Sequence, residues 1–434
     1  LPEGFENGII VAHDLSPAET AGLSKDRVLG IVTEVGTRTS HTAILARALE
    51  IPAVVGVGEI LSKVAQGEQL VIDGTHGVVT LRPSAEIIER ATERADRYRK
   101  MATGLRQSAD RQTATQCGVP IALRANIELP AEAQTALDQG AQGVGLYRTE
   151  FLYVDRTDPP SEDEQYEIYR RVMETMAPLP VTLRTFDIGG DKFVSSFQVP
   201  SAMNPALGLR AVRLGLERPD IFLTQLRAMV RASAHGDLSI MVPMVAALHE
   251  LRAVRKLLNR AISQVDVAGH PRAQRIELGI MVEVPSAAIL AGQFAAEAEF
   301  LSIGTNDLVQ YTLAADRSSR QLAKLASFFD PAILRLIQGV VAAGNRHQRR
   351  VALCGAMASD PLATILLVGL GLRDLSMEAS AIPEIKEAIS RITVAEAERA
   401  AQKAFQLDSA DEIEARLASE FAPRIADLLD SEVV

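Results

Sequence analysis

The sequence predicts an α/β protein: a small α/β unit, a charged connecting helix and a (β/α)8 barrel. Three observations carry that expectation. From Cys117 onward an apolar strand pattern followed by a helical pattern occurs eight times, over about 300 residues. Charged residues fall at the carboxyl ends of those strands, where barrels assemble their sites. The stretch from Ser84 to about Gln112 is highly polar and helix-forming, and separates the two regions. The same alternation allows an open doubly wound sheet as the alternative.

The elements follow in order. Gly8-Ile9-Ile10-Val11-Ala12 reads as a strand, and Ser16-Pro17-Ala18-Glu19-Thr20 opens a helix. Val28 to Thr33 reads as a buried strand, Ile51 to Gly56 as a short one, and Gln69–Gly74 with Gly77–Leu81 as a hairpin. These place a first domain at residues 1–82, a helical linker at 83–116 and a barrel with C-terminal helices at 117–434. The barrel strands end near Asn126, Arg148, Thr185, Pro243, Val284, Gly304, Gly355 and Met377. Helical stretches such as Asp220–Ala234 and Pro361–Gly369 lie between them.

Composition narrows the function classes. A chain of 434 residues exceeds one ordinary core, and 47% apolar with 23% charged residues is globular. A net charge of −10 argues against general nucleic-acid binding, and any site for an anion must be locally positive. The 45 basic residues are 8 lysines and 37 arginines, so a lone arginine carries little information here. No apolar run approaches the ~18 residues of a membrane span, and two cysteines, Cys117 and Cys354, suit a reducing cytoplasm.

Two sets of residues carry chemistry. His41 stands in or beside the first turn of a helix whose apolar positions are Ile44, Leu45 and Leu49. A phosphate on its ring would meet free backbone N–H groups and the positive dipole end, and the same dipole disfavours imidazolium, leaving a ring nitrogen nucleophilic. The second set is Arg148, Arg184, Glu283, Asn306, Asp307 and Cys354, all at or just beyond strand ends. Core packing would not put arginines and carboxylates there.

Seven segments in order resemble enzyme I of the bacterial phosphoenolpyruvate-dependent phosphotransferase system. They are Thr39-Ser40-His41-Thr42, Gly145 to Phe151, Arg184 to Lys192, Asn204 to Arg210, Met281-Val282-Glu283, Ser302 to Leu308, and Cys354-Gly355. The resemblance implies a swivelling domain phosphorylated on His41 and a barrel that binds phosphoenolpyruvate. It implies substrate contacts from Arg148, Arg184, Arg317, Asn306 and Asp307, and Mg²⁺ on Glu283 and Asp307. Arg210 would contact phosphate or pair with an acid. Cys354 would protonate the enolate to give pyruvate.

Elementary chemistry agrees. Phosphoenolpyruvate brings about three negative charges, which planar guanidinium forks suit, and carboxylates among those cations fit a hard metal. The plainer alternatives are carboxylates that only pair with the arginines and a cysteine that is a small buried hydrophobe.

The implied partners are a histidine phosphocarrier protein and a second copy of the chain, with no nucleic acid and no membrane. The resemblance departs in three places. Thr37 follows Gly36 where a Gly-Gly pair is usual, and Ala356 stands where a glutamate is usual. The family's first strand and its carrier-docking helical subdomain are expected upstream of Leu1. Pyruvate phosphate dikinases and phosphoenolpyruvate synthases are the rival enzymes, but need a nucleotide-grasping domain not found among these residues. A non-catalytic sensor that binds phosphoenolpyruvate is the other rival.

Overall fold

The structure is a computed structural model that describes residues 7–15, 23, 27–36, 42–43, 46, 49, 51–74, 76–106, 111–153, 156, 158–189, 204–316, 322 and 325–429. The side chains of 97–106, 427 and 429 are outside that description. The chain divides into two compact units, residues 1–104 and 105–433.

In the first unit, strands β1 (Gly8–Ala12), β2 (Val28–Thr33) and β3 (Ala53–Val54) form a parallel sheet in the order β1-β2-β3. Strands β4 (Leu70–Asp73) and β5 (Val78–Leu81) pair antiparallel as the expected hairpin. The third strand is shorter than Ile51–Gly56. Pro52 has no N–H to give a ladder, though its carbonyl accepts from the Ile31 N–H at 2.9 Å, and Gly56 turns the chain at φ +71°. A small core of Leu23, Val28, Ile31, Ala46 and Ile51 lies against the sheet. Helix α1 (Ala85–Arg106) follows, with an exposed polar surface over residues 85–96. The helix expected at Ser16–Thr20 lies outside the described residues.

In the second unit all eight expected strands are present: β6 (Ala122–Ile127), β7 (Val144–Tyr147), β8 (Val181–Arg184), β9 (Leu238–Val242), β10 (Glu277–Val282), β11 (Phe300–Ile303), β12 (Arg350–Leu353) and β13 (Asp374–Glu378). They run parallel in sequence order, and β13 pairs with β6 to close the ring. That last pairing excludes the open sheet. The barrel interior carries Leu146, Met241, Met281, Phe300 and Cys354 as one buried cluster. Outside it, aromatic side chains seat the helices. The Phe186 ring stacks edge-on against Tyr153 at 5.6 Å and against Phe222 at 5.5 Å.

Three helices matter for the site: α3 (Glu162–Met176), α5 (Pro219–Ala232) and α9 (Thr305–Leu313); α2 (Glu132–Asp138) precedes them, and α4 (Val212–Glu217), α6 (Leu248–Val267), α7 (Pro285–Ile289) and α8 (Ala291–Glu297) lie between. No described helix is long and apolar enough to cross a membrane.

Candidate active site

The carboxyl ends of the barrel strands bring the predicted polar residues to one mouth. Arg148 directly follows β7, Arg184 ends β8, Glu283 follows β10, and Cys354 follows β12. Asn306 and Asp307 occupy the first turn of α9, immediately after β11. Gly355 lets that turn come close, because a Cβ there would overlap the Thr305 hydroxyl and lie 2.6 Å from the Thr305 nitrogen. Asn306 Oδ1 in turn accepts from the Ala356 N–H at 2.9 Å.

Cations and acids alternate around the mouth. Arg148 pairs with Glu128, and Arg184 Nη2 lies 3.0 Å from Glu150 Oε1. Arg210 forks onto Asp187, with Nη2 at 2.8 and 2.9 Å from its two oxygens, and lies 3.7 Å from Asp307. Tyr311 completes the contact: its hydroxyl accepts from Arg210 Nη1 at 3.1 Å and donates to the Ala206 carbonyl at 2.5 Å. Arg210 therefore pairs with an acid, the second of the two roles the sequence allowed it. Burial works against the guanidinium charges of Arg184 and Arg210, but the facing carboxylates outweigh it and raise both pKa values.

Three carboxylates, Asp187, Glu283 and Asp307, each bring an oxygen within 4.8 Å of the others. Glu283 is 2% exposed, and one oxygen accepts from the Met244 N–H at 2.6 Å. Met244 makes that contact from a left-handed backbone, φ +58°, the kind of local strain that clusters at working sites. Burial pushes the Glu283 carboxyl well above the usual range, and the charges of Asp307 and Asp187 push the same way. Like charges gathered this closely out of water fit a hard divalent cation, for which oxygen donors are the right chemistry. The sequence pointed to Glu283 and Asp307 but missed Asp187. Its signal was its place three residues after a strand-end arginine.

Cys354 is 3% exposed, and the Ser302 hydroxyl lies 3.4 Å from its sulfur. Burial pushes the thiol up to about 11, with the Ser302 hydrogen bond opposing. Asn126 Nδ2 holds the Cys354 carbonyl at 3.0 Å, and Ser376 donates to Asn126 Oδ1 at 2.6 Å, so β6, β12 and β13 are tied across the mouth. His41 and Arg317 lie outside the described residues, as does Lys192. Thr42, next to His41, is buried and donates to the Leu15 carbonyl at 3.1 Å.

Residues 102–394 match the family profile described as PEP-utilising enzyme, PEP-binding domain. The chain belongs to that family. Residues 4–77 match the companion profile, PEP-utilising enzyme, mobile domain, so both units have a counterpart in PEP-utilising enzymes. Among curated relatives, the "Phosphoenolpyruvate-protein phosphotransferase" of Geobacillus stearothermophilus is 44% identical over 94% of this chain and 71% of its own length. The protein of the same name from Bacillus subtilis (strain 168) is 43% identical over 94% of this chain and 72% of its own. That from Staphylococcus aureus is 44% identical over the same 94% and 71%. Within a PEP-utilising enzyme, a mouth of paired arginines and carboxylates has a substrate of the matching charge.

Proposed function

We propose that this chain is a phosphoenolpyruvate–protein phosphotransferase: it moves the phosphoryl group of phosphoenolpyruvate to His41, releases pyruvate, and passes the phosphoryl group on to a histidine phosphocarrier protein. The observation that carries the reading is the meeting of Arg148, Arg184 and Arg210 with Asp187, Glu283 and Asp307 at one barrel mouth. On this reading residues 1–82 carry the histidine, 83–116 link, and 117–434 bind substrate.

Arg148, Arg184 and Arg317 hold the phosphate and carboxylate of the substrate, with Arg210 and Asn306 beside them, since guanidinium forks match both anions. Glu283 and Asp307, with Asp187 as a third carboxylate, would hold Mg²⁺. When bound, that ion neutralises charge developing on the transferred group. A ring nitrogen of His41 attacks phosphorus, an N–P bond forms, and the bond from phosphorus to the enol oxygen breaks with its electron pair staying on oxygen. The resulting enolate takes a proton at its methylene carbon from the Cys354 thiol, giving pyruvate and a thiolate that recovers its proton from solvent. A thiol whose pKa is about 11 holds its proton at neutral pH until a base as strong as an enolate carbon asks for it. The histidine phosphocarrier as acceptor and a homodimer through the barrel rest on the resemblance to the family. A cytoplasmic setting rests on the same ground and on the two free thiols.

Incubation with labelled phosphoenolpyruvate and Mg²⁺ tests the reading. The expected product is an acid-labile, base-stable phosphate that His41→Ala abolishes while substrate binding survives. A wild-type protein that binds phosphoenolpyruvate yet never takes the label would overturn it in favour of a non-catalytic sensor.

A further inference from the structure

We infer that Gln225, on the outer helix α5, is a positioning residue that sets the separation of the two strand-end arginines, Arg148 and Arg184. The inference rests on the reading that those arginines hold phosphoenolpyruvate.

Gln225 is fully buried on a helix face otherwise made of Phe222, Leu226 and Met229. Hiding an amide there is unfavourable unless its hydrogen bonds are replaced, and an apolar side chain would be the simpler filling. Both of its donors are used. Nε2 donates to Thr149 Oγ1 at 3.1 Å and to the Tyr169 hydroxyl at 3.3 Å. Oε1 accepts from the Phe186 N–H at 3.0 Å.

These contacts fall beside the arginines. Thr149 follows Arg148, and its hydroxyl donates onward to the Arg184 carbonyl at 3.0 Å. Phe186 lies two residues beyond Arg184 and directly before Asp187. One amide thus pins the chain leaving β7 to the chain leaving β8, at the level where each sends an arginine into the mouth. The amide is itself held. Tyr169 donates to Gln165 Oε1 at 3.2 Å, and Gln165 Nε2 donates to the Pro160 carbonyl at 3.0 Å. Gln165, Tyr169, Thr149 and Gln225 are all fully buried, so this chain of donors runs from α3 to the strand ends without reaching water. A networked amide fixes its partners more closely than apolar packing does. A displacement of about 1 Å in positioning groups can cost roughly a hundredfold in rate.

The test compares variants of the 434-residue chain in a His41→Ala background, which binds without turnover, by calorimetric titration with phosphoenolpyruvate and Mg²⁺. Gln225→Met keeps the volume and removes every hydrogen bond. Thr149→Val breaks the same link from the other side, and Thr149→Ser restores it. Leu226→Ala is a neighbouring core deletion without polar contacts. Gln225→Met and Thr149→Val are each expected to bind about tenfold more weakly, the double variant no more weakly than either, and Thr149→Ser like the parent. Leu226→Ala is expected to lower the melting temperature without changing affinity. If Gln225→Met and Thr149→Val lower only the melting temperature, as Leu226→Ala does, the inference fails. Should Gln225→Met not fold, the two Thr149 variants decide alone. Arg184→Ala runs alongside: undiminished binding in that variant would mean that the reading of the site is wrong, not the role of Gln225.

Discussion

Cys354 and Cys117 are two thiols with opposite surroundings, and a reagent will tell them apart. Burial lifts Cys354 to about 11. Cys117 is exposed, and a hydrogen bond with Thr115, 3.2 Å away, lowers its pKa, with backbone N–H groups adding to the effect. Because the thiolate is the reactive form, iodoacetamide near neutral pH should modify Cys117 and leave Cys354 untouched until the pH approaches 11. Peptide mass mapping across a pH series checks this, and early alkylation of Cys354 would contradict it. At this scale the sequence was informative where chemistry and position coincide. Arg148, Arg184, Glu283, Asp307 and Cys354 stand where polar groups have no packing reason to be. Asp187 carried a weaker form of that signal, its place three residues after the strand-end Arg184. Gln225 looked like one polar residue on an amphipathic helix, and only its three partners reveal it.

Among the elements, the approach of Gly355 to the start of α9 is the most exposed to substitution. Gly355→Ala would push a methyl into Thr305 and shift the turn that carries Asn306 and Asp307. Overpacking of this kind destabilises by about 1–3 kcal/mol, and the displaced carboxylate should weaken divalent-ion binding as well. Thermal unfolding and titration with Mg²⁺ are the measurements; unchanged values in both would show that the turn gives way freely. The strand positions were legible from the strand–helix alternation, helped by β7, β8, β9 and β11, whose residues are all buried. Closure was not. An open sheet offers the same pattern, and what decides is the β13–β6 pairing, between segments some 250 residues apart.

For the molecule as a whole, two units with separate cores imply two unfolding events. Among the described residues, the first unit's core is Leu23, Val28, Ile31, Ala46 and Ile51, and the second unit's runs from Ile121 to Leu428. Calorimetry of the His41→Ala protein should therefore give two transitions, the smaller one first. Phosphoenolpyruvate at a hundred times its dissociation constant adds about 2.7 kcal/mol to whatever it binds. That stabilisation should raise the second transition and leave the first in place. A single transition that moves as one body would contradict the division.

The alternation of charges at the barrel mouth has a further consequence. Arg148, Arg184 and Arg210 already hold resident anions, Glu128, Glu150 and Asp187. If these arginines hold the ligand, as proposed, it competes with those acids for their N–H groups, and the mouth selects by valence. Phosphoenolpyruvate, with about three charges, can take several guanidiniums at once, whereas pyruvate offers a single carboxylate. On the proposed reading, the resident acids then compete for the same arginines once the phosphoryl group has left, which favours release of the singly charged product.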